Sequence, residues 1–496
     1  MNPTPILAER TGLQTDATHN VPMALSQMLL QHSLIYTASR VVAIAAMLFA
    51  TFAYTRLLSP QEYGFYNLVN TGVTLAFTTT MLWICSSGLR LLHATQDRRA
   101  LRAGLLVSYL SILAVVALVG AAALLVIPDS GHKILIMIGL AMLAMVGWLE
   151  LNLHLLIAEP RPIEYGCLNA VRALAAVALG TTFAFAGWGA PGALAGSIFG
   201  MLVPSIWIAA RYWHDVRLKT LRKATFREIA VYGLPLLGSS GLSGLSRSTD
   251  RLLIAALAGA HAVGLYAVGF NIADNLIAAL LAPIGGAGFS LAVRALEREG
   301  HEAASRQLAE NVVLLIGVGL PAATGLALVS QNIVNTLIGS EFRDVAATVI
   351  PILAFGSFMN CVRAYYLDHA FQLGRRTGFQ SVMMLVIALT SVATNVILIP
   401  WYEAIGAATA VLLTHSFGVI LCYSLGRCAY RLPLPIPDFA KVVLATAVMA
   451  MPVVALREYH GVFWLTLQIL LGVVVYLVAV LVLNVGNFRD KIFRRD

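Results

Sequence analysis

Apolar runs of about twenty residues recur along almost the whole chain, separated by short polar turns or basic connectors. A helix needs about 20 apolar residues to cross the hydrocarbon core of a bilayer, so each run predicts one membrane-spanning helix. Successive runs are paired by turns such as 59–64, 128–133 and 187–192. The pattern predicts an all-α polytopic membrane protein with about fourteen transmembrane helices.

The connectors divide these helices into two lobes of six and a final pair. The predicted parts are an N-terminal cytoplasmic segment (1–32), helices 1–6 (33–213), a basic cytoplasmic linker (214–228), helices 7–12 (229–426), and helices 13–14 with a cytoplasmic tail (427–496). Residues 21–34 are expected to form either a short amphipathic helix on the membrane or a lead-in to the first span.

An internal repeat relates the two lobes. The block LLSPQEYGFY at 57–66 aligns with LAGAHAVGLY at 257–266, which pairs Gly64 with Gly264 and Tyr66 with Tyr266. Each block is a turn between two spans, and six spans separate the blocks. An even number of spans gives both copies the same orientation, so we expect a parallel repeat about an axis along the membrane normal.

Composition agrees with a membrane location and predicts the orientation. Only 11% of the 496 residues are charged, whereas soluble domains keep about 25%. The net charge of +9 follows from topology, because basic residues collect in cytoplasmic loops. With the N-terminus inside, 24 Lys and Arg fall in inside segments and four in outside turns, so both termini are predicted to be cytoplasmic.

Several function classes lack the motifs that they need. No aromatic-interleaved basic groove indicates nucleic-acid binding, and no GxxxxGK[ST] loop indicates ATP hydrolysis. The five cysteines have no metal-ligand spacing and are interpreted as packing residues. We expect no metal, no cofactor and no nucleic-acid partner, and any energy input would be an ion gradient, the membrane potential or consumption of the product outside.

Five arginines are predicted to lie within the membrane, where each charge costs about 2.5–3.5 kcal/mol on insertion scales. They are Arg40, Arg172, Arg247, Arg251 and Arg363. Arginines that converge on one cavity suit a diphosphate, because guanidinium groups bind phosphate oxygens through forked, charge-assisted hydrogen bonds. We interpret the five as candidate substrate-binding residues of a carrier for an anionic cargo.

The first and seventh helices carry the main candidates. Arg247 and Arg251 are four residues apart on one helical face, and Asp250 can neutralise Arg247. The alternatives to cargo contact are a local ion network of these three residues and contact of Arg251 with the outer headgroups. Arg40 lies about 10 Å deep at 1.5 Å per residue, and snorkelling to the interface is its alternative. Because the first helix is the repeat partner of the seventh, both should line one cavity.

The two remaining arginines have simpler explanations. Arg172 lies as deep as Arg40 but lacks a repeat partner, and snorkelling is the favoured interpretation there. Arg363 lies near the middle of the tenth span, too deep to snorkel easily. Its alternative partner Asp368 is five residues on, a poor match on an α-helix.

Four titratable residues are candidates for ion coupling, since carriers use such groups in proton relays. Asp250 lies in the seventh span and Asp274 about 10 residues into the eighth. Glu150 and His154 are four apart on one face of the fourth. A structural hydrogen bond is the alternative for Asp274 and for the Glu150–His154 pair, and for Asp250 the alternative is that it holds Arg247 in place.

The chain resembles a known family at two places. These are the Leu-Leu-Ser-Pro turn at 57–60 and the series YGLP (232–235), SRSTDRLLIAAL (246–257) and VGLYAVG (263–269). With six plus six helices, they are similar to the polysaccharide-transporter branch of the multidrug/oligosaccharidyl-lipid/polysaccharide (MOP) exporter superfamily, which includes Wzx-type flippases. The resemblance spans about 33–484, and at residue level only Asp250 and its neighbour Arg251 carry over.

The resemblance implies a V-shaped two-lobe carrier in the bacterial cytoplasmic membrane, and no enzyme. Such a carrier moves an undecaprenyl-diphosphate-linked oligosaccharide from the inner to the outer leaflet by alternating access. Its implied partners are that cargo, membrane lipid, and the polymerase and chain-length regulator of the same pathway.

Two rival functions remain open. An ion-coupled drug/cation antiporter would share the fold but would favour acidic cavity residues over arginines. A membrane glycosyltransferase or polymerase would present long outside loops, whereas the longest outside turn here, at about 331–348, offers only Glu341, Arg343 and Asp344.

Overall fold

The computed structural model describes residues 21–95 and 97–493, and every regular element in these ranges is a helix. The predicted all-α fold class is therefore confirmed. Residues 21–34 continue into the first span as part of one helix, α1. The first twenty residues and the last three, which belong to the predicted N-terminal segment and the tail, lie outside the described residues.

The helices follow the predicted order of spans. Those of the first half are α1 (Val21–Leu57), α2 (Pro60–Thr80), α3 (Leu82–Leu91), α4 (Arg98–Val126), α5 (Ser130–Ala158), α6 (Pro162–Phe183) and α7 (Gly189–Tyr212). Those that follow are α8 (Lys223–Gly233), α9 (Leu236–Arg298), α10 (His301–Leu337), α11 (Arg343–Val362), α12 (His369–Leu373), α13 (Thr377–Gly426), α14 (Ile436–Ala455), α15 (Val462–Leu483) and α16 (Phe488–Phe493).

Three helical runs, α6 with α7, α9, and α13, are too long for a single crossing. They extend over 51, 63 and 50 residues, while about 20 residues cross a bilayer. Each is interrupted by a residue with positive φ, namely Gly187 (88°), Gly259 (82°) and Glu403 (46°). These interruptions are the turns at which the chain reverses direction.

Contacts across each interruption show that its two arms are antiparallel. The pairs in contact are Gly180 with Gly196, Asp250 with Tyr266, and Thr394 with Thr414. By length and composition, ten helices of the described ranges can cross a membrane, or eleven when α2 and α3, bent by 48°, count as one span. The number of about fourteen, which counts each hairpin as two spans, stays a prediction.

Buried apolar side chains of the described ranges form two clusters. One cluster extends from Val73 to Ile229 and joins helices α2 to α7 with α8, without any residue of α1. The other contains residues from Ile254 to Leu465 and also the ends of α1 and α2 that adjoin the 57–60 turn. At this end of the bundle, therefore, the first half of the chain packs directly into the core of the second.

The two repeat blocks contact each other through their glycines. A Cβ atom built on Gly64 would lie 1.8 Å from the carbonyl oxygen of Ala260, and one built on Gly264 would lie 1.9 Å from that of Pro60. Gly64 and Pro60 in one block correspond to Gly264 and Ala260 in the other, at a shift of 200 residues. Each contact is therefore the counterpart of the other, as expected for a local two-fold axis. Only residues without a side chain allow helix backbones to approach this closely, which explains both glycines.

A second set of contacts joins the lobes at the same end. Arg56 donates a hydrogen bond from Nη2 to the carbonyl oxygen of Thr336 at 2.7 Å, and the backbone N–H of Gly339 donates to Thr55 Oγ1 at 3.3 Å. Arg40 precedes Arg56 by about 24 Å along the axis of α1, at 1.5 Å per residue. The lobes are thus closed at the end predicted to be outside, away from Arg40.

The basic linker is attached to the first lobe. Its helix α8 buries Ile229 completely, and the backbone oxygen of Ile229 accepts a hydrogen bond from Ser87 Oγ at 3.2 Å. Two ion pairs accompany this packing, Arg99–Asp215 and Arg222–Asp97, each at 3.0 Å. Exposed pairs of this kind contribute about 0–1 kcal/mol, so the apolar packing of α8 dominates the attachment.

The glycine contact can be tested with alanine. Gly64→Ala and Gly264→Ala should each lower the stability of the purified protein by about 1–3 kcal/mol, because the added methyl group overpacks the contact. Gly72→Ala, on the same helix as Gly64, is the matched control, since a Cβ there meets nothing within 4 Å. Thermal unfolding in detergent measures the effect, and equal midpoints for Gly64→Ala and Gly72→Ala would contradict the proposed packing.

Candidate functional site

Two of the five predicted arginines are exposed and unpaired. Arg40 on α1 and Arg247 on the first arm of α9 have exposed side chains, and neither forms an ion pair with any residue of the described ranges. The charges of both act on the hydroxyl of Tyr365, in the second lobe. We call the region bounded by Arg40, Arg247 and Tyr365 the interlobe site, because it draws on both lobes.

Arg251 has different surroundings from Arg247, although the two are four residues apart. Its guanidinium carbon lies 4.3 Å from the ring centroid of Phe270, a cation–π distance. Its Nη1 donates to Thr71 Oγ1 at 3.4 Å, while its buried Nε has no partner within the described part of the chain. Arg251 is therefore held between α2 and the second arm of α9.

Asp250 faces polar groups from two other arms. It accepts hydrogen bonds from Asn395 Nδ2 at 3.2 Å, Tyr266 Oη at 3.4 Å and Ser391 Oγ at 3.5 Å. No described basic nitrogen lies within 4.0 Å of its carboxylate. The ion network considered for Arg247, Asp250 and Arg251 is thus absent from this conformation, and the carboxylate has neutral partners instead.

Asp274 lies close to the same group of charges. It is half-buried on the second arm of α9 and accepts a hydrogen bond from Ser357 Oγ at 2.8 Å. The charges of Arg247 and Arg251 both act on it. Its structural hydrogen bond matches the alternative considered for this residue, and its position beside the interlobe site leaves ion coupling as a hypothesis.

Arg172 and Glu150 form an ion pair within the first lobe. Arg172 Nη1 lies 2.7 Å from Glu150 Oε1, and their side chains are 28% and 25% exposed. The His154 ring contacts the backbone oxygen of Glu150 through Nδ1 at 2.8 Å, not its carboxylate. Glu150 is therefore the partner of Arg172, and the side chains of Glu150 and His154 do not form the relay considered from their spacing.

Arg363 is paired with Asp368 despite the unfavourable spacing. Residues Arg363–Leu367 form a π-helical turn in which the backbone N–H of Asp368 donates to the carbonyl oxygen of Arg363 at 2.9 Å. In a π-turn, residues five apart are neighbours, so Nη1 of Arg363 reaches Asp368 Oδ2 at 2.8 Å. Its Nη2 donates to Asn360 Oδ1 at 2.9 Å. On an α-helix the two side chains would not meet, so α-helical spacing does not predict this ion pair.

Two residues of the site escaped the sequence analysis because neither is charged. Tyr365 lies in the π-turn, and nothing in a sequence marks a π-turn. Asn395 is completely buried and bonds to Asp250. An Asn within the long apolar run of α13 was a signal that could have been used, since polar residues inside a membrane need a partner.

An apolar groove lies beside the second lobe. It has a volume of about 560 Å³ and lies between α9, α10, α14 and α15. Leu291, Leu314, Val318 and Leu477 are among its lining residues, and Asp438 and Glu310 supply polar atoms. A neighbouring pocket of about 230 Å³, with an entirely apolar lining, continues along α14.

The burial of the two ion pairs leads to a prediction. Asp368→Asn should destabilise the protein by about 3–5 kcal/mol, because it leaves a buried guanidinium without its counter-charge. Glu150→Gln should cost about 1 kcal/mol or less, because solvent screens the more exposed pair. Thermal midpoints of the two purified variants compare the effects, and a larger loss for Glu150→Gln would be inconsistent with this ranking.

Several solved structures of membrane transporters are similar to this fold. The structure is similar to the lipid II flippase MurJ in an inward closed conformation, with a TM-score of 0.74 and 15% identity over 93% of this chain and 100% of that one. It is also similar to an outward-facing multidrug resistance MATE transporter of the MOP superfamily, with a TM-score of 0.55 and 15% identity over 81% and 95% of the two chains.

A third similar structure is a MOP superfamily transporter from Pyrococcus furiosus, with a TM-score of 0.52 and 15% identity over 81% of this chain and 95% of that one. At such identities the similarity establishes the fold alone. No curated protein matches the sequence. The family model described as polysaccharide biosynthesis protein matches residues 53–347, more than half of the chain. The chain is therefore a multi-pass membrane protein with the MOP transporter fold, and it belongs to the polysaccharide biosynthesis protein family.

Proposed function

We propose that this protein is a flippase for an undecaprenyl-diphosphate-linked oligosaccharide repeat unit of an O-antigen, exopolysaccharide or capsule. It would move this unit from the inner to the outer leaflet of the cytoplasmic membrane by alternating access. The observation that carries the proposal is the pair of exposed, unpaired arginines, Arg40 and Arg247, on helices of different lobes.

The chemistry of a diphosphate fits this pair. An arginine inside a membrane is unfavourable unless it faces water, a counter-charge or a ligand. Arg172 and Arg363 have counter-charges in their own lobes, and we now propose structural roles for both. Arg40 and Arg247 can each donate two parallel hydrogen bonds to phosphate oxygens, and Arg251 adds positive charge from the next helical turn.

The apolar groove suits the prenyl tail of such a cargo. Its lining is mostly aliphatic, and it lies on the second lobe beside α14 and α15. A lipid chain in this groove would leave only the diphosphate and the sugars to cross the polar interlobe site. The structural similarity to MurJ, a lipid II flippase, supports a lipid-linked cargo.

The polarity of the site separates this proposal from drug/cation antiport. A cationic drug would be repelled by two unpaired guanidinium groups, because like charges near a protein repel each other more strongly than in bulk water. For the Pyrococcus furiosus transporter, the reverse polarity of the binding pocket is said to suggest a different function. Because the polarity of a binding pocket selects the charge of its cargo, a positive site in this chain supports an anionic cargo.

Asp250 is the residue that we propose for ion coupling. Its carboxylate belongs to a helix long and apolar enough to cross a membrane, and its hydrogen-bond partners among the described residues are all neutral. Binding of a proton or a small cation would compensate the charge, and the partners of Asp250 belong to the second arm of α9 and to α13. Binding there would bias how these helices pack, which is the requirement for coupling to a conformational change.

Neutralising either free arginine tests the cargo site. Arg40→Gln and Arg247→Gln should each reduce surface polysaccharide to a tenth of wild type or less, because a hydrogen bond to a charged group is worth about 1.5–3 kcal/mol. The undecaprenyl-linked intermediate should accumulate in the same cells. Arg306→Gln, an exposed arginine on α10, is the control and should export normally. Wild-type export in both site variants, at equal protein levels, would refute the arginine site.

Ion coupling at Asp250 has its own test. Asp250→Asn preserves the size and polarity of the side chain but cannot titrate, so export should become independent of external pH or sodium concentration. Ser391→Ala, which removes one neutral partner of Asp250, should keep that dependence. If Asp250→Asn exports like wild type across external pH and sodium concentration, Asp250 is a structural residue.

A further inference from the structure

Tyr365 has an aromatic hydroxyl without a partner at the interlobe site. Its side chain is half-buried, and its hydroxyl makes no hydrogen bond within the described ranges. Charges of Arg40, Arg247 and Asp274 act on it. The next residue differs in this respect, because the hydroxyl of Tyr366 donates to the carbonyl oxygen of Pro433 inside the second lobe.

The ring of Tyr365 is held in place by a glycine. A Cβ atom built on Gly285 would lie 2.5 Å from Cγ of Tyr365, so the ring rests directly on the backbone of α9. Any larger residue at 285 would displace the ring. The phenol is therefore directed by close packing, while its hydroxyl stays free to donate.

The π-turn determines which way Tyr365 faces. Arg363 and Asp368 bracket the turn, and their ion pair is nearly buried, at 12% and 4% exposure. Cys422 Sγ also lies 3.7 Å from Asp368 Oδ1, which fixes the carboxylate on the side of the lobe core. If the turn relaxed to an α-helix, its two sides would rotate relative to each other by about 100°, the angle of one residue at 3.6 per turn, and Tyr365, which lies between them, would shift.

We propose that Tyr365 is a third contact for the anionic group held by Arg40 and Arg247, donating its hydroxyl to a phosphate oxygen. Arg363 and Asp368 are positioning residues, because their ion pair keeps the π-turn that presents Tyr365. This inference rests on the proposed function for the identity of the anion. It also gives a role to Arg363, whose own charge is already neutralised within the second lobe.

Binding of undecaprenyl diphosphate to the purified full-length protein in nanodiscs tests the contact. Tyr365→Phe removes one oxygen atom and should weaken binding at least tenfold, the loss expected for one hydrogen bond to a charged group. Tyr366→Phe is the matched control, because the Tyr366 hydroxyl donates to the carbonyl oxygen of Pro433 inside the second lobe. This variant should bind within twofold of wild type. An unchanged dissociation constant for Tyr365→Phe overturns the proposal.

A charge exchange tests the positioning role. The double variant Arg363→Asp with Asp368→Arg keeps the ion pair with its ends reversed and should bind within about threefold of wild type. Tyr365→Phe should weaken binding in that background as much as in wild type. If the exchanged variant has a normal thermal midpoint but binds tenfold more weakly, Arg363 acts on the ligand itself and the positioning role is overturned.

The two proposals can fail separately in this assay. If Arg40→Gln and Arg247→Gln weaken binding and Tyr365→Phe does not, the contact of Tyr365 is wrong and the arginine site stands. If Tyr365→Phe alone weakens binding, the phenol contact stands and the role of the arginines in the proposed function is wrong.

Discussion

A guanidinium group inside a membrane must face a counter-charge, water or a ligand, and this constraint organises the protein. The five arginines meet it in different ways. Arg172 and Arg363 have carboxylate partners, and Arg251 lies over an aromatic ring. Only Arg40 and Arg247 reach the interlobe site unpaired among the described residues. The site is therefore defined by which charges the fold leaves uncompensated, more than by how many charges the chain contains.

The repeat supplies the geometry in which those two charges can meet. Gly64 and Gly264 bring α2 and α9 into backbone contact about a local two-fold axis. That contact lies near the turns at 57–60 and 257–260, and it closes one end of the bundle. Since α1 and the first arm of α9 are repeat partners, each lobe contributes one arginine. A carrier that works by alternating access needs such a shared site, because cargo contacts from both lobes can then change as the lobes move.

Local deviations from α-helical geometry determine the fine structure of the second lobe. The π-turn at Arg363–Leu367 pairs residues five apart and contains Tyr365, whose ring packs on the backbone of Gly285. Such turns are rare and frequently found at functional sites. The breaks at Gly187, Gly259 and Glu403 act on a larger scale, because each reverses the chain and sets two arms side by side.

Hydropathy was enough to predict the helical membrane fold, because a run of about twenty apolar residues has one stable arrangement in lipid, the helix. The internal repeat predicted the two lobes, and the motifs of the resemblance predicted the family. Sequence spacing also selected five arginines as candidates for a site within the membrane. Sequence spacing does not show which arginines lack an ion-pair partner. Asp250, the expected partner of Arg247, bonds instead to residues of α13 that are more than 140 positions away. Nor could α-helical spacing reveal the Arg363–Asp368 pair. Long-range packing and a local change of helical pitch set these contacts, and only the tertiary structure contains both.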